Sequence, residues 1–263
     1  MVPGASFAEL WQPQIMLDAV LAQGAYLLLT GPLRRFVSGS RPVGWDQRAA
    51  FLAGMAVFYL AFGTPLDVIS DRYLFSAHMV QHMLEIMVMV PLLMRGLPDW
   101  FHRPFFRLPV LGPVLRLWVH PVTALLVFGM AFSFWHFPGP YNLTLRSENV
   151  HFVEHAIFFL AGWALWFPII RPLPEVETYH LTDGLRLLYL LIANEITMPI
   201  DFGLFLTGHP WYQAYAMAPR LFGISALADQ QIGAVVMAAF SVGVFGSVAA
   251  ATFRRYDAAV WYS

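Results

Sequence analysis

The residues best suited to chemistry in this chain are histidines in pairs. The run His78-Met79-Val80-Gln81-His82-Met83-Leu84-Glu85 and the run His151-Phe152-Val153-Glu154-His155 each contain His-x3-His. Residues four apart share one face of a helix, so each pair aims two imidazoles at one point. Such pairs suit copper, zinc, iron or nickel. Met79 and Met83 flank the first pair, and thioether sulfur favours monovalent copper. The plainer reading is that methionine fills apolar space and that a histidine near a helix end is an interfacial or hydrogen-bonded residue. Two pairs plus a fifth histidine, His136 in Phe134-Trp135-His136-Phe137-Pro138, weigh toward a shared metal or cofactor site.

Carboxylates accompany the histidines. Glu85 falls on the face of His78 and His82, and Glu154 adjoins His155. Further along, Glu195 stands beside Asn194, with Met198 and Asp201 following across Pro199. Ionisable groups inside a membrane are costly and usually functional. Glu85, Glu154, Glu195 and Asp201, with Met79, Met83 and Met198, are therefore candidates to support an ion or line its path. The alternatives are that they carry protons or hydrogen-bond between helices.

The elements that must position these groups are membrane helices. Of 263 residues, 59% are hydrophobic and only 12% charged, about half the ~25% charged share of a soluble domain. Seven apolar stretches can be marked, near 15–33, 49–63, 74–94, 118–135, 151–170, 185–206 and 232–253, each of a length to cross or nearly cross a ~30 Å hydrocarbon core. All fifteen Lys+Arg positions are Arg; twelve flank one side of these stretches, and only Arg72, Arg146 and Arg220 flank the other. The positive-inside rule then places the N-terminus outside and the C-terminus inside. The expected fold is an all-α integral membrane protein, a seven-transmembrane-helix bundle forming one domain over 1–263. Residues 96–117, which mix Trp, Phe, Arg and Pro, are expected along the cytoplasmic interface. In this orientation the five scattered histidines converge on one, outward-facing leaflet.

Several classes are excluded. With no Cys there are no disulfides, thiolate sites or iron–sulfur clusters. A net charge of −1 implies no nucleic-acid partner. Met1 to Pro13 lacks the basic start of a cleaved signal peptide. No nucleophile–base arrangement, phosphate-binding glycine loop or zincin motif appears, so no enzyme is expected.

The motifs resemble the CtaG family of caa3-type cytochrome c oxidase assembly factors. The likeness rests on His78-Met79-Val80-Gln81-His82-Met83, then Pro91-Leu92-Leu93 and Gly96-Leu97-Pro98, then Trp135-His136-Phe137-Pro138, Tyr141-Asn142, His151 and Glu154-His155. It implies a multi-pass protein of the bacterial cytoplasmic membrane that helps mature a haem–copper oxidase by handling copper outside that membrane. Its partners would be the lipid bilayer, oxidase subunits and copper chaperones. The metal-site residues it carries over are His78, His82, His136, His151 and His155. Three readings compete with a copper-binding assembly factor. Glu85 and Glu195 suit a copper permease or proton-coupled transporter, paired histidines suit a haem-b redox protein, and a purely structural oxidase subunit would need neither.

Overall fold

The structure is a computed structural model that describes residues 4–173 and 181–261, without the side chains of 255–261. Pro174, His180 and the side chain of Arg255 lie outside the described residues. No strand occurs among the described residues.

Proline sets many of the helix starts, since its missing N–H falls where a helix has no acceptor to offer. It opens α2 (Pro13–Thr30), which follows the short α1 (Phe7–Trp11). α3 (Trp45–Phe62) bends by 44° into α4 (Pro65–Arg72), where Pro65 again leads. α5 (Phe75–Gly96) is continuous but not uniform. Then come α6 (Asp99–Arg107) and α7 (Leu111–Trp118), and a 76° bend leads into α8 (Pro121–His136). α9 (Pro138–Thr144) turns the chain into α10 (Glu148–Ile170). α11 (Asp183–Glu195) and α12 (Met198–Leu206) form one span broken near Pro199. α13 (Gln213–Met217) precedes the long α14 (Ala226–Trp261).

Every expected apolar stretch maps onto a helix or a broken pair, with ends shifted by a few residues. By length and apolar character, four helices can cross a membrane: α5, α10, α11–α12 and α14 through Arg254. The count rises to six when α3–α4 and α7–α8 are each taken as one span. The stretch expected at 118–135 starts later, at Pro121, because Trp118 ends a separate helix lying across the chain's path. α2 carries a row of exposed apolar residues, Leu17, Val20, Leu21 and Leu28, as α8 does with Val122, Leu126 and Met130. Outward apolar rows of this kind are what a lipid solvent requires.

α5 is the central helix. In its most apolar window 72% is buried, against 28% for α14. Small residues let its neighbours approach. A Cβ on Gly96 would lie 2.5 Å from the Phe51 backbone nitrogen of α3, and one on Gly54 would lie 2.8 Å from Leu93. Tyr26 of α2 donates to the Gly96 carbonyl at 2.9 Å. At the other end, α14 caps α5: the Asp229 carboxylate accepts from the backbone N–H of Phe75 at 2.7 Å and of Ser76 at 3.1 Å.

Between these ends α5 widens into a π-helical turn, Leu84–Met89. Val90 donates to the Glu85 carbonyl, five residues back. Pro91 has no N–H to continue that ladder. The Ile86 carbonyl it would have used instead accepts from the indole of Trp166 on α10, at 2.8 Å. The widened turn is thus fixed by a proline within the helix and a tryptophan outside it, immediately below the histidine motif.

Candidate metal centre

Three helices bring the five histidines together at the end of the bundle opposite a cleft lined by Arg41, Arg95 and Arg171. α5 supplies His78 and His82, whose ring centroids are 4.4 Å apart. α10 supplies His151 and His155, 4.7 Å apart. The two pairs face each other, with His78 5.1 Å from His151 and His82 4.8 Å from His155. His136, the last residue of α8, lies 6.2 Å from His82.

Among the described residues, three overlapping sets hold their ligand atoms within 4.8 Å of one another: His78–His82–Glu154, His78–His151–His155 and His82–Glu85–His155. The first is wholly buried, at 0% exposure for all three side chains. Glu154 reaches across from α10, 3.9 Å from His78 Nε2 and 3.7 Å from His82 Nε2. Those two nitrogens, His82 Nδ1 and both Glu154 oxygens have no hydrogen-bond partner. Buried polar atoms are rarely left so, because each costs about 1–3 kcal/mol. The donor set therefore has the composition of a small-cation site: neutral imidazole nitrogens plus one carboxylate to offset charge.

Hydrogen bonds behind the rings fix which nitrogen is bare. The Tyr215 hydroxyl donates to the Ser70 carbonyl at 2.6 Å and so accepts from His78 Nδ1–H at 3.1 Å. Burial pushes the Tyr215 hydroxyl pKa well above its usual value, so it keeps the proton this arrangement needs. His78 Nε2 is left bare and faces Glu154. His136 behaves alike: its Nδ1–H donates to the Phe132 carbonyl at 2.7 Å, and a carbonyl can only accept. A ligand histidine is normally oriented by a bond of this kind on its other nitrogen.

The second and third sets are more open. His155 Nδ1 meets Glu85 Oε2 at 2.7 Å, and its Nε2 meets His151 Nε2 at 3.0 Å. His151 Nδ1 lies 3.9 Å from Asp71 of α4. These groups line a cavity of about 880 Å³ between α2, α3, α5 and α10, whose wall also includes Phe62, Met89 and Leu160. His78, His82, Glu154 and His136 do not line it.

The other candidates fall differently. Met79 is fully buried, with Sδ 3.3 Å from His136 Nε2. Met83 is also buried, in the apolar core. Glu195 is exposed on α11 and accepts from Asn194 at 3.2 Å. Met198 is half-buried, and Asp201 is buried on α12 with neither oxygen hydrogen-bonded. No hydrogen bond or ion pair joins these three to the histidines among the described residues. Gln81 binds α3 and α4 to the site, donating to the Ala61 carbonyl at 3.0 Å and to Asp67 at 2.9 Å while accepting from Ser70.

Three tyrosines escape a reading of the sequence as interface anchors. Tyr141 and Tyr215 meet at 3.3 Å behind His78, and Tyr212 donates to the His136 carbonyl at 2.7 Å. Tyr215 is 137 positions from His78, so no local spacing announces it. Tyr141 stands in a quoted motif, and that was its signal.

A family model described as cytochrome c oxidase caa3 assembly factor matches residues 24–257. No curated protein and no solved structure matches.

Proposed function

The chain belongs to the caa3 cytochrome c oxidase assembly factor family, and from that premise we propose that it binds copper and passes it to the oxidase during assembly. The observation that supports the copper reading best is the buried His78–His82–Glu154 set, five of whose polar atoms lack a hydrogen-bond partner. Two neutral imidazoles and one carboxylate would give monovalent copper a net-neutral site in a low-dielectric interior. Copper is the cargo here, and the protein's own residues do the holding. Tyr215 orients His78, and Glu154 balances the charge.

Topology completes the reading. Counting α2 as a span, seven helices cross the bacterial cytoplasmic membrane, with the N-terminus outside, the C-terminus inside and the whole chain one domain. The asymmetric arginines support that orientation, which turns the histidine end outward. Partners there would be oxidase subunits or copper chaperones, with the lipid bilayer around. No nucleic acid is involved, and the role is not enzymatic. The close packing of the rings favours a bare ion over haem b, since an axially ligated porphyrin needs an open slot between its two histidines.

The test is copper content in full-length protein purified in detergent, loaded under reducing and oxidising conditions. Wild type is expected to keep copper through gel filtration, and His78→Ala and Glu154→Gln to keep less of it. Cells carrying Glu154→Gln should make oxidase with its haems present and its copper depleted. Wild-type protein that holds no copper in either redox state would sink the reading.

A further inference from the structure

We propose that His136 Nε2 and Met79 Sδ form a second, softer subsite for a monovalent copper-class cation, separate from the His78–His82–Glu154 set. This rests on the copper reading for the nature of the cargo but not on those donors.

The two atoms stand 3.3 Å apart in a fully buried setting. His136 Nδ1 already carries the ring proton, donated to the Phe132 carbonyl, so Nε2 presents a lone pair. The Met79 thioether has no proton either. Two lone-pair donors thus face each other with no hydrogen between them. An imidazolium could supply one, but it would bury a positive charge against a weak acceptor, at high cost. A cation held by both atoms resolves the contact.

Composition selects the ion. One imidazole and one thioether, with no carboxylate hydrogen-bonded or ion-paired to His136 among the described residues, favour a soft monovalent cation. A divalent ion would bring uncompensated charge into an apolar interior. The pair is also held in place. Phe132 stacks on the His136 ring at 4.2 Å, and Tyr212 grips the His136 carbonyl. α14 packs so tightly on the other side that a Cβ on Gly233 would lie 3.2 Å from Met79 Cγ. The His82 ring, 6.2 Å from that of His136, stands between the two subsites.

The experiment is copper K-edge X-ray absorption on full-length, detergent-purified protein loaded with Cu(I) under reductant. Wild type should show a sulfur scatterer. Met79→Leu, a nearly volume-conserving change, should abolish it and weaken retention against a Cu(I) chelator by roughly tenfold or more, the scale of a lost ligand-shell contact. The double variant His78→Ala/Glu154→Gln should keep the sulfur signal. In selenomethionine protein, whose fold needs no mutation, selenium should replace sulfur as the scatterer. Copper with only nitrogen and oxygen neighbours in wild type, lost in His78→Ala/Glu154→Gln, overturns this subsite and leaves the other standing. Sulfur-bound copper as the sole species upholds this subsite and sinks the other. A sulfur signal that survives Met79→Leu, or no bound Cu(I) at all, overturns the proposal.

Discussion

His155 Nδ1 lies 2.7 Å from Glu85 Oε2 across the α5–α10 interface, although 70 positions separate the two residues. Glu85 is 3% exposed and His155 12%. Removing one partner of a buried hydrogen bond strands the other, at a cost of about 1–3 kcal/mol. Glu85→Leu should therefore lower the unfolding temperature markedly, while Glu85→Gln, which retains an acceptor, should lose only about 1 kcal/mol. Intrinsic tryptophan fluorescence during a thermal ramp reads both. Equal losses in the two variants would show that the hydrogen bond is not what Glu85 contributes.

If His82 and Glu154 hold one ion, their effects on copper retention will not add. The double variant His82→Ala/Glu154→Gln should bind no more weakly than the worse single variant. Retention measured against a graded chelator series decides it, and simple additivity would mean two independent sites.

Tyr215→Phe removes the acceptor that fixes the His78 tautomer and leaves every proposed ligand in place. Loss of such an orienting bond typically costs 10–100-fold in metal affinity, so roughly that drop is expected. Nitrogen chemical shifts of labelled histidine in the metal-free variant should show His78 as a tautomer mixture. A single Nδ1–H form would remove Tyr215 from the account.

The Ile86 carbonyl depends on Trp166. Trp166→Phe should cost about 1–3 kcal/mol for the stranded acceptor. Adding Pro91→Ala restores a backbone N–H in register and should recover part of that loss. If the second change destabilises further, the widened turn is held by something other than the missing N–H.

Asp229→Ala strips the α5 N-terminus of its acceptor for Phe75 and Ser76. A loss of about 0.5–2 kcal/mol is expected, as for other helix caps. It should appear as faster amide hydrogen exchange confined to Phe75–His78, and exchange that accelerates uniformly along α5 would refute the capping role.

What could be read from sequence was what is local. His78 and His82, like His151 and His155, meet because a helix repeats every 3.6 residues, and four-residue spacing says so without a fold. The apolar stretches found their helices because hydrocarbon length is a one-dimensional constraint. Glu154 was legible only as a neighbour of His155. On a helix, adjacent residues point about 100° apart, and that turn sends Glu154 toward α5's histidines while His155 meets Glu85. The π turn was not legible: the partner that stabilises it, Trp166, sits 80 positions from Ile86. Tyr215 and Asp229 act across still longer separations, where only the packed bundle decides what touches what.

The histidines stand in two ranks. His151 and His155 border the large cavity, whereas His78, His82 and His136 lie behind them, sealed by Phe158 and the tyrosines. Cargo entering by the cavity would meet the front rank first and reach the rear only through it. If loading and unloading both run through this cavity, the ion lodged deepest is the last to leave. The bundle would work as a stack rather than a bowl, releasing metal in the reverse of the order in which it arrived.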